Sequence, residues 1–253
     1  MNWIGLYTLV RKEVTRMFRV VTQTIFAPLI SATLYIFIFG TIVGSKIDEI
    51  AGVEYITFVF PGILMLNIIT ASFSHSSSSI FTGKYFKHIE EVLVTPFSHL
   101  EIVIGYATAG IVRGVVVAIG VLGIGLLFGA VTLSNAPLFL FYVLSVATIF
   151  SLLGMLAGLF AKNFDQLAML TAFIITPFTY LGGIFYSLSM LPESAQFYTQ
   201  LNPFFYFVDG IRSSMIGISE ANVLVGLMVI SGLVLGLGTL VTHLFRIGWR
   251  IRQ

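Results

Sequence analysis

Apolar residues in this chain gather into runs of roughly 20 or more, the length a helix needs to cross the hydrocarbon core of a bilayer. The runs extend from about Val21 to Val43, Tyr55 to Phe81, Ile102 to Phe128, Leu138 to Phe160, Gln166 to Phe185 and Val223 to Phe245. A helix satisfies its own backbone N–H and C=O groups without water, so each run predicts a helical span. The predicted fold is all-α integral membrane, with six transmembrane helices in a single domain over residues 1–253.

The polar stretches between the runs are short. Ser45 to Glu54 holds Lys46, Asp48 and Glu49, and Ala161 to Asp165 is a brief turn. The segment 83–100 is the most polar between spans, carrying Lys84, Lys87, His88, Glu90, Glu91, Thr95 and Pro96. Lys84 through Val94 has helical spacing, and Pro96 ends that helix. Residues 1–20 place Ile4, Leu6, Leu9, Val10, Val14, Met17 and Phe18 near helical spacing among Arg11, Lys12, Arg16 and Arg19, which predicts an interfacial amphipathic helix and not a cleaved leader. The segment 186–222 is too long and too aromatic for a turn. Gly182-Gly183 and Pro192 break helices, so a re-entrant hairpin is expected there between the fifth and sixth spans, buried by protein because non-helical backbone at that depth must be.

Composition supports immersion in lipid: 57% of residues are hydrophobic and 9% charged, against about 25% charged in a soluble domain. The net charge of +2 says little as a total, but its distribution says more. With the N-terminus inside, one face holds Arg11, Lys12, Arg16, Arg19, Lys84, Lys87, Lys162, Arg246, Arg250 and Arg252, and the other only Lys46 and Arg212. Basic loops stay cytoplasmic, which predicts a multi-pass protein with both termini in the cytoplasm. Trp3, Tyr55 and Trp249 read as anchors at the membrane faces.

Several chemistries are excluded or unsupported. Without cysteine there is no disulfide or thiol catalysis. No G-x-x-x-x-G-K-[ST] loop occurs, so the chain is not expected to hydrolyse ATP. His75, His88, His99 and His243 lack metal-ligand spacing, no nucleophile elbow or catalytic carboxylate pair is present, and the basic residues flank spans instead of forming a nucleic-acid stripe. No catalytic residue and no metal ligand is assigned.

Three intramembrane polar features admit two readings each. Ser72, Ser74, Ser76, Ser77, Ser78 and Ser79 either hydrate a path or let helices approach closely, and His75 among them is a hydrogen-bonded interface residue or a proton relay. Arg113 is the basic residue deep inside a span and needs a partner: an anionic lipid or substrate, or an interior pair with Glu101 or a carbonyl. Glu101 lies about three turns away along a straight helix. Gly110, Gly114, Gly120, Gly123 and Gly125 offer close helix contacts.

The basic amphipathic start, six spans, the inside stretch Ile89-Glu-Glu-Val-Leu-Val-Thr-Pro96, and the late Asn202-Pro203 followed by Asp209-Gly210-Ile211-Arg212 together resemble the ABC-2 type permeases. Within them the chain is most similar to the YadH-like inner-membrane group of Gram-negative bacteria, through Tyr180-Leu-Gly-Gly-Ile-Phe-Tyr-Ser187 and Phe160-Ala-Lys-Asn-Phe-Asp165. The resemblance covers essentially the whole chain. It implies the permease subunit of an exporter in a bacterial inner membrane: a homodimer with two copies of a separate ATP-binding-cassette ATPase, which binds the ATP and Mg²⁺ while this chain needs no cofactor.

In such permeases the first inside loop and the N-terminal helix sit on the ATPase. The resemblance therefore assigns coupling to Glu90, Glu91, Thr95, Pro96, Arg11, Lys12 and Arg16, the alternative being a solvated connector. It places the substrate path at the dimer interface, lined by the first, second and fifth spans, with the hairpin as outer gate at Gly182, Gly183, Asn202, Pro203, Asp209 and Arg212. The last four equally suit a structural turn, with Asp209 and Arg212 bridging within one helix. Membrane lipids surround the chain, and few interior charges favour an amphipathic, drug-like or lipid-linked substrate. The rival readings are a polysaccharide-export permease, a secondary transporter independent of any ATPase, which would need intramembrane acids, and a membrane scaffold or integral-membrane enzyme.

Overall fold

The computed structural model describes residues 2–47 and 49–250, so Asp48 and Arg252 lie outside the described residues. An amphipathic helix α1 (Trp3–Arg19) leads into α2 (Thr22–Val43), whose two ends, Thr22–Phe26 and Ile38–Val43, are wound as wider π turns. A two-residue hairpin follows, β1 (Glu49–Ile50) with β2 (Val53–Glu54), pairing Glu49 with Glu54 and Ile50 with Val53. Its turn puts Ala51 and Gly52 at positive φ, the geometry such tight hairpins require. This is a small exception to the all-helical expectation.

The helices α3 (Tyr55–Tyr85), α4 (His88–Leu93), α5 (His99–Leu127) and α6 (Ala136–Phe160) come next. Then α7 (Phe164–Leu170), a π turn at Thr171–Ile175 and α8 (Thr176–Tyr180) run on as one continuous rod. A 3₁₀ turn at Leu188–Met190, α9 (Glu193–Leu201), α10 (Pro203–Ile216) and α11 (Val223–Ile247) complete the chain. Several helices begin where side-chain oxygens satisfy their orphan N–H groups. Asn2, Asn135, Asn163, Asn202 and Asn222 cap α1, α6, α7, α10 and α11, and Ser98 with Glu101 forms a reciprocal capping box on α5.

Five helices, α2, α3, α5, α6 and α11, are long and apolar enough to cross a membrane. The fifth expected span, Gln166 to Phe185, is shorter than read from its apolar run. Its helix stops at Tyr180, because Gly182 and Gly183 follow in a turn with Gly183 at φ +85°.

The centre of the bundle is α3. In its most apolar 18-residue window 83% of residues are buried, against 11% in α2 and α11, whose outer faces carry Phe26, Ile30, Leu34, Leu224, Met228 and Leu235 in the open. Exposed faces of this size belong to lipid or to another protein surface. Against α3 lies α6, brought so close by Gly154 and Gly158 that an added Cβ at either would meet α3 backbone atoms at 2.6–2.7 Å. Two apolar cores result. The larger joins α2, α3, α5, α6 and α10, and the smaller, at the end of the bundle holding α4, joins Leu9, Ile89, Val92, Tyr106, Leu159 and Phe245.

Candidate functional site

The single helix expected over Lys84 to Val94 is two. Lys87 adopts φ +60° between α3 and α4, and the preceding turn is fastened by the Lys84 ammonium, which donates to the carbonyls of Leu159 (2.6 Å) and Ala161 (3.2 Å) at the end of α6. Those carbonyls are the unsatisfied acceptors of a helix C-terminus, so a cation fits there. Short α4 then sinks Ile89 and Val92 into the smaller core and leaves Glu90 and Glu91 exposed. It ends at Leu93, before Pro96, where the Thr95 hydroxyl donates to the Val92 carbonyl, and both Thr95 and Pro96 face outward. The exposed 3.7 Å pair of His88 with Glu91 contributes little.

Next to this edge sits the start of α1. The Asn2 N–H donates to the Glu101 carboxylate, and Gly5 lies against the Phe97 ring. The two segments expected to act together are thus contiguous. Arg11 and Lys12 point outward, whereas Arg16 turns inward to Glu13 at 3.2 Å.

Glu13 is the residue that sequence reasoning missed. It is 3% exposed on the face formed by Leu6, Leu9, Glu13 and Met17, an acid within an apolar stripe at helical spacing, and that interruption was the available signal. The Ser79 hydroxyl of α3 donates to its Oε2 at 2.6 Å, and His75 Nε2 stands 4.0 Å away. Charge-assisted bonds of this kind are stronger than neutral ones. Glu13→Ala strips the hydrogen bond from buried Ser79, but Arg16 keeps a third of its side chain exposed and recovers hydration. We expect a loss of about 1–3 kcal/mol, read as faster amide hydrogen exchange across α1 with α5 unchanged. Equal acceleration in both helices would show that Glu13 is not specific to α1.

Above this cluster α1, α2, α3, α5 and α7–α8 line an open cleft of mixed polarity in two compartments of about 560 and 320 Å³, which share Gln23, Ser74 and Arg113, the larger also touching Arg16. The serine run divides by helical face. Ser74 and Ser78, with Thr70 one turn earlier, look into the cleft, while Ser72 and Ser76 turn away and pack on Gly114 and Gly110 of α5. Ser72 and Ser76 thus follow the packing reading, and Ser74 and Ser78 line the cleft. His75 lies at the larger compartment.

Arg113 reaches both compartments, and Glu101 is not its partner, being committed to Ser98 and Asn2. Among the described residues no carboxylate pairs with Arg113, and its Nε has no acceptor. An uncompensated arginine at the middle of a span costs about 2.5–3.5 kcal/mol on insertion scales, so the cleft must supply water or an anion. The smaller compartment is also lined by Tyr35 and Tyr180, whose hydroxyls hydrogen-bond at 2.6 Å, and Phe39 stacks on Phe185 at 4.2 Å beside them. Tyr35 and Phe39 were not singled out from sequence, since nothing local pairs them with residues so distant in the chain.

Elsewhere in the bundle α10 packs against α3 and α6, with Arg212 fully buried. The expected bridge from Asp209 to Arg212 within α10 does not form. Arg212 instead donates to the carbonyls of Phe58 (3.3 Å), Gly183 and Ile184, lies 3.9 Å over the Phe58 ring, and pairs with Glu220 at 3.7 Å. Glu220 also accepts from Ser187 and from the Leu188 N–H. Asp209 takes the N–H groups of Glu220 (2.8 Å) and Ala221 (3.1 Å) and the Ser219 hydroxyl. Asn202 caps α10 ahead of Pro203 and donates to the Phe178 carbonyl at 2.7 Å, while Gly182 sits against the Phe204 backbone. The Gly182–Gly183 turn, α10 and the loop before α11 are therefore one fastened unit.

The profile of the family described as "ABC-2 type transporter" matches residues 5–216. The chain is 38% identical over 218 residues to the protein named "Inner membrane transport permease YadH" of Escherichia coli, covering 86% of this chain and 85% of that one. It is 24% identical over 221 residues to "Nodulation protein J" of Rhizobium meliloti, covering 85% of this chain and 82% of the other. A second nodulation protein J, from Rhizobium leguminosarum bv. viciae, is 24% identical over 228 residues, covering 88% and 85%.

Proposed function

Because the chain belongs to the ABC-2 type transporter family and is a membrane transport component of the inner membrane, we propose that two copies of it pair with two copies of a separate ATP-binding-cassette ATPase to export an amphipathic or lipid-linked substrate. The ATPase binds ATP and Mg²⁺, and this subunit transmits the motor's movement. In this reading the chain crosses the bilayer six times with both termini cytoplasmic, the fifth crossing made by α7–α8. Segment 186–222 is the outer re-entrant hairpin, gating the path at Gly182, Gly183, Asn202, Pro203, Asp209 and Arg212.

The observation that carries the coupling assignment is the construction of α4. Its outward face offers Glu90 and Glu91, continued by Thr95 and Pro96, and its inward face inserts Ile89 and Val92 into a core shared with α1, α3, α5, α6 and α11. A push on that edge is delivered to packed side chains, which transmit displacement because protein interiors are close-packed. Arg11 and Lys12 extend the docking surface, and Arg16 ties it to α3 through Glu13. The cleft walled by the first, second and fifth spans supports a path there, and the bare outer face of α2 leaves room for a second copy to complete it.

The test is reconstitution in nanodiscs with a candidate ATP-binding-cassette ATPase from the same organism. Glu91→Lys should weaken the complex about ten- to a hundredfold, the value of a charge-assisted contact, and lower substrate-stimulated ATP turnover in proportion. If the native chain binds no such ATPase and still transports, a secondary transporter becomes the better reading.

A further inference from the structure

The polar groups around the cleft do not balance in charge. Arg16 is matched by Glu13, which is also held by Ser79, so this ion pair needs nothing further. Arg113 has no such counterpart. It stands between two compartments that both reach it, with Gln23 and Ser74 shared between them and His75 and Ser78 beside it in the larger one. Arg113 Nε is buried without a hydrogen-bond partner among the described residues, and His75 Nε2, likewise unbonded, stands 4.0 Å from Glu13 Oε2. Buried polar groups of natural proteins are nearly always satisfied, so a guanidinium that lines a cleft without a counter-charge points to an acceptor within that cleft.

The filling group must accept hydrogen bonds, since the guanidinium has donors only and serine and glutamine can donate as well. A planar fork of donors suits an oxyanion better than a carbonyl or hydroxyl. One positive charge in excess selects one negative charge. The site lies among membrane-spanning helices, where a free, fully hydrated ion would have to shed its water, whereas an ion carried on an apolar chain arrives partly desolvated.

We propose that Arg113, with Gln23 and Ser74, forms a head-group site for a singly charged anionic amphiphile, its head a phosphate, sulfate or carboxylate. This rests on the reading of the cleft as a transport path and adds the sign and number of charges on its occupant. The occupant is either the exported molecule or an anionic phospholipid of the surrounding bilayer.

The test needs no ATPase, so its failure leaves the coupling assignment standing. Purified chain in phosphatidylcholine nanodiscs is titrated at about pH 5, below the second ionisation of a phosphate monoester, with radiolabelled, singly charged decyl phosphate, with decanol and inorganic phosphate as controls. We expect saturable binding of decyl phosphate, at least about tenfold weaker in Arg113→Gln and partly restored in Arg113→Lys, which keeps the charge but not the fork. The lysine variant also guards against a glutamine variant that merely fails to fold. Equal binding of decyl phosphate and decanol, equal binding of inorganic phosphate and decyl phosphate, or unchanged binding in a folded Arg113→Gln protein would each overturn the proposal. Repeating the titration in discs containing phosphatidylglycerol separates the two sources. Displacement assigns the site to bilayer lipid and lack of displacement assigns it to the transported molecule, and either supports the anion site.

Discussion

Arg212→Met should destabilise the protein by about 3–5 kcal/mol, the scale for removing one member of a buried ion pair. The arginine is wholly buried, and its loss leaves Glu220, whose side chain is 12% exposed, without its counter-charge, held only by Ser187 and the Leu188 N–H, while three carbonyls lose their donor. Methionine matches the stem in length, so cavity formation contributes little and the change isolates the polar network. The readout is the midpoint of unfolding by sodium dodecyl sulfate in mixed micelles. A double variant with Glu220→Gln should lose less than the sum of the two single changes, because the two residues share one interaction. A loss below about 1 kcal/mol would place Arg212 in the range of an exposed pair and refute the network's structural weight.

Gly158→Leu should cost about 1–3 kcal/mol or more, the range for overpacking a tight core. At this position even a Cβ would stand 2.7 Å from the Ser77 carbonyl oxygen and 2.9 Å from Ile80 Cβ. The first of these is backbone of α3 and cannot rotate away, so α3 and α6 must separate. Gly123→Ala on α5 is the counter-test, because an added Cβ there meets nothing within 4 Å. That variant should gain up to about 1 kcal/mol from reduced freedom of the unfolded chain. Both are measured as shifts in the thermal unfolding midpoint in detergent, and equal shifts would show that the α3–α6 contact is looser than its geometry.

Five long helices were readable to within a few residues because apolar length is a local property of the chain. Val21 to Val43 became α2 and Val223 to Phe245 became α11 with almost the same ends. A local signal also marked the turn at Asn202-Pro203, where the folded chain has Asn202 capping α10. What the sequence concealed was pairing. Arg212 has Asp209 one turn behind it, yet its acceptors lie at Phe58, Gly183, Ile184 and Glu220, which only the folded bundle brings together. Lys84 looked like one more basic residue of a polar loop and proved to be a helix cap. The helical pattern from Lys84 to Val94 was real in both pieces, but periodicity does not register a single residue at positive φ such as Lys87. The lone charge of Arg113 was visible from the start, because an arginine within an apolar run is conspicuous whatever surrounds it.

The π turns have a mechanical consequence. Each is in effect an α-helix with one residue too many, so the helix keeps its hydrogen bonds whichever turn holds the surplus. Shifting the surplus along by one turn swings the residues it passes through about 100° around the axis. Among the described residues these turns occur at Thr22–Phe26, Ile38–Val43 and Thr171–Ile175, that is, in α2 and in the α7–α8 rod, and not in α3, α5, α6 or α11. A slide of register in these two walls of the cleft would turn Gln23, Tyr35 or Thr176 in or out, whereas the α3–α6 pair, in backbone contact at Gly154 and Gly158, carries no such surplus residue.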